Sequence, residues 1–285
     1  MILLFIIIIT LNKMKIFKDR LLLHKEISVH KDLAFVPTMG GLHAGHKYLI
    51  KKAKKKCKKT IVSIFVNPKQ FNSKIDYNKY PRNLKKDLNT LNSLNIDYLY
   101  LPKFEDVYNF RTKQDIYLDS FSKKLCGKFR KQHFKGVVNV VNRFLETIEP
   151  KYILLGKKDY QQLFLIKKHI KKNKIKTTII EVKTIRENNG IACSSRNFNL
   201  SKKSKDIASK IFRLLKNEKK KYFKNNLLKY NSNYLKRKIF NFGVKRIDYI
   251  EFLNTRTFKR PNKHYPKFNI FIAYYLDGIR LIDNI

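Results

Sequence analysis

Apolar residues recur along this chain with two different periods, and together they predict alternating strands and helices. Short apolar runs predict buried strands over 33–36, 60–66, 97–101, 151–155 and 176–183. Apolar positions at helical spacing predict helices over 45–57, 82–94, 136–148 and 159–172. Pro37 is expected to end the first of these strands. Strands that alternate with helices favour a parallel sheet covered on both faces, so we predict an α/β fold here.

The pattern changes after about residue 184, where strands no longer alternate with helices. Lys-rich segments predict helices over 203–217 and 223–240, and apolar runs predict strands over 246–253, 268–275 and 279–283. Asp277-Gly278 separates the last two strands and is a strong hairpin signal. We therefore predict a smaller α+β domain over 184–285, after an α/β domain over 14–183.

The segment before Met14 fits neither domain. Residues 1–9, MILLFIIII, are apolar but far shorter than the ~20 residues that a membrane span needs. No basic segment precedes this run and no small-residue cleavage site follows it, although a signal peptide has both. We predict that Met14 is the true start and that residues 1–13 are a doubtful extension. The alternative is a tail that tethers the protein to a membrane.

The charge of the chain is strongly positive and allows two interpretations. Lys and Arg number 64 against 21 Asp and Glu, for a formal net charge of +43 over 285 residues. Such a field attracts phosphate backbones, so a basic nucleic-acid-binding protein is one hypothesis. The Lys residues are spread along predicted helix faces, however, and Asn, Ile, Phe and Tyr are also abundant, which is typical of an AT-rich coding bias. We therefore predict neither a nucleic-acid partner nor a membrane partner.

The cysteines bear on the cellular compartment. Cys57, Cys126 and Cys193 stand far apart, are odd in number and form no CxxC pair. Such a set argues against a disulfide framework and against a structural zinc site. We read these residues as reduced thiols of a cytoplasmic protein. Because 43% of the residues are apolar, the chain is able to bury a substantial core.

The segment PTMGGLHAGH (37–46) is the first candidate for chemistry, because it lies between a predicted strand and a predicted helix. Its two glycines allow a tight turn, and free N–H groups at the start of a helix suit phosphate. His43 and His46 share one face of the first helical turn, where their rings could donate to phosphate oxygens. The structural alternative is that both histidines only cap the helix or pack against it.

Other polar segments follow later strands of the predicted sheet. Gln70 comes after an Asn-Pro turn, where its amide suits a hydroxy acid, although such a turn is often only structural. The segment 156–162, GKKDYQQ, offers Lys158 as a point charge for phosphate and Asp159 as a helix cap. The segment 193–197, CSSRN, offers two hydroxyls and Arg196 for an oxyanion, or an ST-turn with a solvated arginine.

Together these motifs resemble the pantoate–β-alanine ligase family, in its order and roughly its spacing, from about Met14 to the C-terminus. They are PTMGGLHAGH (37–46), SIFVNPKQF (63–71), YPRNLKKDL (80–88), HFKGV (133–137), GKKDYQQL (156–163), CSSRN (193–197) and RLIDN (280–284). HxGH alone points only to the nucleotidyltransferase superfamily, so another such enzyme, with a dinucleotide-type product, is the alternative. Gln70, Gln162 and the CSSRN segment argue against that alternative.

The resemblance implies a Rossmann-like N-terminal domain for ATP and pantoate, and a smaller C-terminal domain that closes over them as a lid. The implied reaction has two steps and uses Mg²⁺. Pantoate attacks the α-phosphate of ATP to give pantoyl adenylate and pyrophosphate, and the amine of β-alanine then displaces AMP to give pantothenate. We also expect a homodimer.

The resemblance also implies a role for individual residues. His46 is the implied proton donor, and His43, Lys158 and Arg196 are the other implied catalytic groups. Gln70 is implied to bind pantoate and β-alanine, and Gln162 to bind pantoate. The implied ATP site comprises Met39, Gly40, Gly41, Leu42, His43, Ala44, Gly45, His46, Gly156, Lys157, Lys158, Asp159, Ile185, Cys193, Ser194, Ser195 and Arg196.

The chain departs from the family's usual pattern at three places. Lys157 stands where the family usually has Glu, which puts a second positive charge beside Lys158. The usual Arg-Pro-Gly-His is replaced by RKQH over 130–133, which lacks the turn residues. Cys193 replaces a Met or Leu and is a mild change. None of the three removes a group with an implied direct role.

Overall fold

The computed structural model describes residues 14–224, 231–261 and 267–285. In the first part of the chain the elements are β1 (Lys15–Phe17), α1 (Arg20–Ile27), β2 (Leu33–Thr38), α2 (Ala44–Lys56), β3 (Lys59–Ile64), α3 (Lys74–Asn78), α4 (Leu84–Ser93), β4 (Tyr98–Tyr100), α5 (Phe104–Tyr108), α6 (Cys126–Phe129), α7 (His133–Ile148), β5 (Tyr152–Gly156), α8 (Tyr160–Lys172) and β6 (Thr178–Val182). The later elements are α9 (Lys202–Lys224), α10 (Ser232–Asn241), β7 (Arg246–Asn254), β8 (Phe268–Leu276) and β9 (Ile279–Asn284). The predicted extension 1–13 lies outside the described residues, and so do residues 225–230 of the helix predicted over 223–240.

Strands β1 to β6 form one six-stranded sheet in the order β1-β4-β3-β2-β5-β6, and every neighbouring pair is parallel. The central strands are apolar on both faces because helices cover both. Phe35 and Ile153 pack on the face that α7 and α8 cover, whereas Ala34 and Leu154 pack on the face that α2 and α4 cover. The predicted α/β class, with a parallel sheet, is confirmed.

The strand order places a crevice at one edge of this sheet. From β2 the chain proceeds outward to β3 and β4, and it then returns to β5 on the other side of β2. The order therefore reverses between β2 and β5, and ligands of such sheets bind outside the carboxyl ends of the strands at this switch point. The loops that begin at Met39 and at Lys157 follow these two strands.

The beginning of the sheet differs from the prediction, which placed the first strand near Leu33. Strand β1 and helix α1 precede β2, the strand that begins at Leu33, and β1 pairs only with β4 at the edge of the sheet. An edge strand of three residues has too few buried positions to show a period in the sequence. The strand β2 also continues through Pro37 to Thr38, because β5 pairs with β2 only at Ala34 and Phe35 and leaves Pro37 with a strand on one side.

The C-terminal part contains a three-stranded antiparallel sheet in the order β7-β8-β9. Asp277 and Gly278 have φ values of 51° and 72°, which gives the predicted tight hairpin. One face of this sheet packs against α9 and α10 through residues such as Phe252 and Ile270. The other face, which includes Phe271, joins the core of the α/β part. The predicted smaller α+β unit is confirmed, and its boundary near residue 184 stays a prediction.

Within the described ranges, no helix combines the length and the apolar composition needed to cross a membrane.

We expect a chain that begins at Met14 to be as stable as the full chain. Met14 is only 9% exposed and packs in the core on the sheet face that α2 and α4 cover, and Lys15 N donates to Asp97 O at 2.9 Å, so β1 is anchored without residues 1–13. The urea midpoints of the two chains measure this. A chain that begins after Phe17 lacks β1 and should have a lower midpoint. If removing residues 1–13 alone lowers the midpoint, the prediction is wrong.

Candidate active site

The loop between β2 and α2 passes so close to its neighbours that two positions exclude side chains. Gly40 and Gly41 have φ values of 77° and 61°, in the left-handed region that favours glycine. A Cβ on Gly40 would lie 3.0 Å from Oδ2 of Asp87, and a Cβ on Gly41 would lie 3.1 Å from Cβ of Ser195. The two glycines therefore form the tight turn that the sequence predicts.

A buried carboxylate holds this loop from the side of α4. The two oxygens of Asp87 accept hydrogen bonds from the backbone N–H groups of Gly41 and Leu42, each at 2.8 Å. Asp87 is 2% exposed, so both hydrogen bonds are formed away from water. Hydrogen bonds to a charged acceptor are about twice as strong as neutral ones, and here they fix the backbone that carries the two histidines.

The two histidines cap α2 through one ring nitrogen each. Nδ1 of His43 accepts from the backbone N–H of Gly45 at 3.1 Å, and Nδ1 of His46 accepts from the backbone N–H of His43 at 3.4 Å. A neutral imidazole whose Nδ1 accepts carries its proton on Nε2. The rings stack with centroids 3.9 Å apart, and both keep an Nε2–H donor. Capping and phosphate contact are therefore compatible, because they use different nitrogens.

Both rings are neutral at neutral pH. Burial, followed by the nearby charge of Lys158, lowers the pKa of His43 to about 4. Burial, followed by His43 and Lys158, holds the pKa of His46 well below its usual range. The two rings therefore offer hydrogen bonds without positive charge, and the positive charge in this region comes from lysine and arginine.

The loop after β5 supplies one such charge. The side chain of Lys158 is 18% exposed and its Nζ lies 3.5 Å from Oδ1 of Asp159. Asn284 of β9 donates to the carbonyls of Lys157 and Lys158 at 2.9 and 2.8 Å, so the last strand holds this loop. Lys157 pairs instead with Glu181 on β6 at 3.3 Å. Asp159 does not cap α8 with its side chain, contrary to the structural alternative.

The segment 193–196 packs on the glycine loop from the C-terminal side. The hydroxyl of Ser195 donates to the carbonyl of Gly41 at 2.9 Å, and the hydroxyl of Ser194 accepts from the N–H of Arg196 at 3.3 Å. The ST-turn is therefore present. Arg196 is not merely solvated, because its Nη2 lies 3.1 and 3.0 Å from the two oxygens of Asp76.

The turn after β3 fixes Gln70 in the cleft, where it is 9% exposed. Its Oε1 accepts from Nδ2 of Asn67 at 3.2 Å, and its Nε2 lies 2.8 Å from Sδ of Met39. Helix α7 approaches this turn closely, since a Cβ on Gly136 would lie 2.1 Å from the carbonyl oxygen of Lys69. The Asn-Pro turn is thus structural, and it positions the amide as well.

Most of the predicted site residues converge on one cleft that consists of two adjoining cavities. The first, here called the histidine cavity, is lined by Met39, His43, Gly45, His46, Gln70, Gly156, Lys158, Asp159, Gln162, Ile185, Cys193, Ser194, Ser195 and Arg196. The second, here called the arginine cavity, is lined in part by Gln70, Asp76, Arg130, His133, Arg196 and Arg280. Gln70 and Arg196 line both cavities. The predicted residues that line neither are Gly40, Gly41, Leu42, Ala44 and Lys157.

Sequence reasoning missed several residues that shape this cleft, above all Asp87 and Arg130. For Asp87 a signal was available, because it lies four residues before the fully buried Leu91 on the apolar face of α4. A charged residue at such a position needs a buried partner. Asn284 and Arg130 gave no such signal, because Asn284 donates to carbonyls more than 100 residues away and Arg130 donates to the carbonyl of Gln70, 60 residues away.

The sequence pattern of pantoate–β-alanine ligases matches residues 10–285. The chain belongs to the pantoate–β-alanine ligase family. A pantothenate synthetase of Francisella philomiragia is 39% identical over 267 residues, which are 92% of each chain. One of Pseudothermotoga lettingae is 36% identical over 264 residues, which are 91% of this chain and 93% of the relative.

Solved structures of the family have the same fold. The pantoate–β-alanine ligase of Francisella tularensis, in a complex with β,γ-ATP and β-alanine, is 36% identical and covers 95% of this chain and 97% of its own, with a TM-score of 0.79. The pantothenate synthetase of Thermus thermophilus is 29% identical and covers 95% of this chain and 99% of its own, with a TM-score of 0.85. The enzyme class and the ATP-dependent ligation predicted from the sequence are confirmed by this membership.

Two of the three departures from the family's usual pattern leave the local structure intact. Lys157 is paired with Glu181, so its charge does not add to that of Lys158 in the cleft. The turn before α7 forms although its usual Pro and Gly are absent, because Gln132 adopts a φ of 62°. A residue with a Cβ is strained in that region, and a glycine is not.

Proposed function

We propose that the cleft at the carboxyl ends of β2, β3 and β5 joins pantoate to β-alanine through a pantoyl-adenylate intermediate. A carboxylate oxygen of pantoate attacks the α-phosphorus of ATP and pyrophosphate leaves. The amine nitrogen of β-alanine then attacks the acyl carbon, AMP leaves and the amine loses a proton. The observation that carries the proposal is the convergence of His43, His46, Lys158, Arg196 and Gln70 on one cleft.

In the first step the cleft has to offset negative charge, because a carboxylate attacks a polyanion. Lys158 and Arg196 supply cations that attract the phosphates. The Nε2–H groups of His43 and His46 donate hydrogen bonds to phosphate oxygens, and His46 acts as the donor to the oxygen on which charge develops. Neutral rings suit this task because they need no proton from solution between pH 6 and 8.

In the second step the cleft has to align two reactants, the pantoyl adenylate and the amine of β-alanine, and exclude water. Gln70 and Gln162 bind pantoate, and Gln70 also faces the amine. The C-terminal unit over 184–285 closes over the adenylate as a lid, which protects it from hydrolysis. Contacts that support this assignment already join the two parts, since Asn284 holds the carbonyls of Lys157 and Lys158.

The Mg²⁺ that the resemblance implies fits this cleft as an ion that arrives with ATP. Among the described residues, no group of three or more His, Cys, Asp and Glu is placed to hold a metal. Mg²⁺ at such sites commonly uses one or two carboxylates together with substrate phosphates and water. Asp159, whose side chain is 46% exposed beside Lys158, is the carboxylate we propose for it. When bound, Mg²⁺ offsets phosphate charge.

We further propose that the enzyme is a cytoplasmic homodimer. The three cysteines are all free and buried, which suits a reducing compartment. Four exposed apolar side chains, Ile16, Leu21, Leu22 and Val29, lie close together in the sequence around β1 and α1, which favours a subunit contact there.

Exchange of labelled pyrophosphate into ATP tests the proposed activity, because this exchange reports the first step alone. We expect exchange that depends on pantoate, and pantothenate formation once β-alanine is added. Exchange that requires a nucleotide acceptor instead would favour another HxGH nucleotidyltransferase. Absence of any exchange, together with salt-sensitive binding of DNA, would favour a nucleic-acid-binding protein.

We expect Gln70→Ala to raise the Michaelis constants for pantoate and β-alanine by about tenfold, because a buried hydrogen bond is lost while no charge is removed. The constant for ATP should stay nearly unchanged. Asn92→Ala removes an exposed amide on α4 and should leave all three constants as they are. A higher constant for ATP, with unchanged constants for the other two substrates, would assign Gln70 to the nucleotide instead.

A further inference from the structure

The arginine cavity adjoins the histidine cavity at Gln70 and contains charged groups that no step described so far uses. The guanidinium of Arg130 lies there, and its side chain is 18% exposed. Its Nη2 donates to the carbonyl of Gln70 at 3.2 Å and its Nη1 to Nε2 of His133 at 3.0 Å. Both acceptors are neutral, so neither balances the positive charge.

The tautomer of His133 follows from its two partners. Its Nδ1 lies 2.7 Å from the carbonyl oxygen of Gln70, which can only accept, so Nδ1 carries the proton. Nε2 is then free to accept from Arg130. Burial, followed by the charge of Arg130, holds the pKa of His133 well below its usual range, which agrees with a neutral ring. His133 therefore positions the guanidinium and adds no counter-charge.

The carboxylate nearest to Arg130 is already engaged. Oδ2 of Asp76 lies 4.0 Å from Nη2 of Arg130, whereas both oxygens of Asp76 are within 3.1 Å of Nη2 of Arg196. Arg280, the third guanidinium of this cavity, has its own partner in the buried Asp248 at 2.8 Å. Two guanidiniums, those of Arg130 and Arg196, therefore share one carboxylate.

This imbalance points to an anionic group of a ligand. Burial, followed by the neighbouring charge of Arg196, lowers the pKa of Arg130 to about 10, which agrees with two guanidiniums that share one carboxylate. A planar guanidinium binds a carboxylate through charge-assisted hydrogen bonds. The same cavity offers the amide oxygen of Gln70 as an acceptor for an amine. A guanidinium for a carboxylate and an amide oxygen for an amine together match a small zwitterion.

We propose that the arginine cavity binds the amine acceptor as a zwitterion, with its carboxylate on Arg130 and its amine at Gln70, where the two cavities meet. This proposal rests on the proposed function and extends it to the recognition of the acceptor. Because the amine has to reach the histidine cavity while the carboxylate stays at Arg130, the site selects an amino acid whose two charged groups are separated by a short chain.

The test compares two reactions in the Arg130→Met variant. Pantoate-dependent pyrophosphate exchange needs no β-alanine and should stay within about twofold of the wild type. The Michaelis constant for β-alanine should rise between about tenfold and a hundredfold, because a charge-assisted contact is lost. Arg130→Lys keeps the charge but not the planar guanidinium. Its Michaelis constant for β-alanine should lie between those of the wild type and Arg130→Met. Arg213→Met, at an exposed position of α9, should change neither reaction.

The acceptor specificity provides a readout that a merely structural role would not alter. Propylamine has the amine and the chain length of β-alanine but no carboxylate. The wild type should strongly prefer β-alanine over propylamine, and Arg130→Met should lose most of this preference. Retained preference, an unchanged β-alanine constant, or exchange that falls in parallel with amide formation would each overturn the proposal. Wild-type protein without pantoate-dependent exchange would instead refute the proposed function.

Discussion

His46→Ala is expected to slow pantoate-dependent pyrophosphate exchange by about 10²–10³, the effect typical of losing one donor to charge that develops in a transition state. The Nε2–H of His46 is that donor in the proposed site, and alanine cannot replace it. The fold should survive, because the variant loses a 3.4 Å capping contact to the backbone N–H of His43 and the stacking of the two rings, and His46 does not belong to the hydrophobic core. Loss of one cap costs about 1 kcal/mol.

Two further variants make the result specific. His24→Ala removes an exposed histidine of α1 whose Nδ1 lies 3.0 Å from the carbonyl of Thr147, far from the cleft in the fold, and should leave exchange unchanged. His46→Gln keeps a neutral N–H donor on a side chain of similar length and should retain more activity than His46→Ala. Exchange near the wild-type rate in His46→Ala would remove His46 from the first step.

Asp87→Ala is expected to lower the free energy of unfolding by about 3–5 kcal/mol and also to slow exchange. The variant leaves the N–H groups of Gly41 and Leu42 buried without their carboxylate, and each hydrogen bond to a charged group contributes about 1.5–3 kcal/mol. The loop that carries His43 and His46 then loses its anchor. A displacement of about 1 Å at a reacting group is able to cost about 10² in rate.

Denaturant unfolding and pyrophosphate exchange measure the two effects separately. Asp87→Asn keeps the shape and one acceptor but turns an N–H donor toward the loop, so it should show a smaller loss of stability together with reduced exchange. Asp206→Ala changes an exposed aspartate of α9 and should affect neither property. If Asp87→Ala unfolds within about 1 kcal/mol of the wild type, the carboxylate does not anchor the loop.

Much of the candidate site could be predicted from the sequence, because its parts lie at strand ends that the apolar runs reveal. The segment around His43 and His46 follows β2, and Lys158 follows β5, as the order of runs and polar motifs predicts. The role of Lys157 could not be predicted in this way. Only the pairing of β5 with β6 shows that Glu181 is near enough to bind its charge.

The short elements at the edges were equally hidden. Strand β1 has only three residues and one neighbour, so its sequence shows no period. The turn before α7 was hidden as well, because Lys131 and Gln132 stand where a Pro and a Gly are usual. For β1 the parallel pairing with β4, more than 80 residues away, compensates for a weak local preference.

The sequence by itself determined the class of fold, the family and the order of the chemical groups, since these depend on residue types at fixed spacings. The tertiary structure alone decided which groups meet. Asp87 reaches Gly41 across 46 residues and Asp76 reaches Arg196 across 120, and no local pattern encodes either pair. The tautomers of the three cleft histidines and the shortage of negative charge at Arg130 were decided in the same way. Hydrogen bonds and charges act through short distances in space, and folding sets those distances independently of separation along the chain.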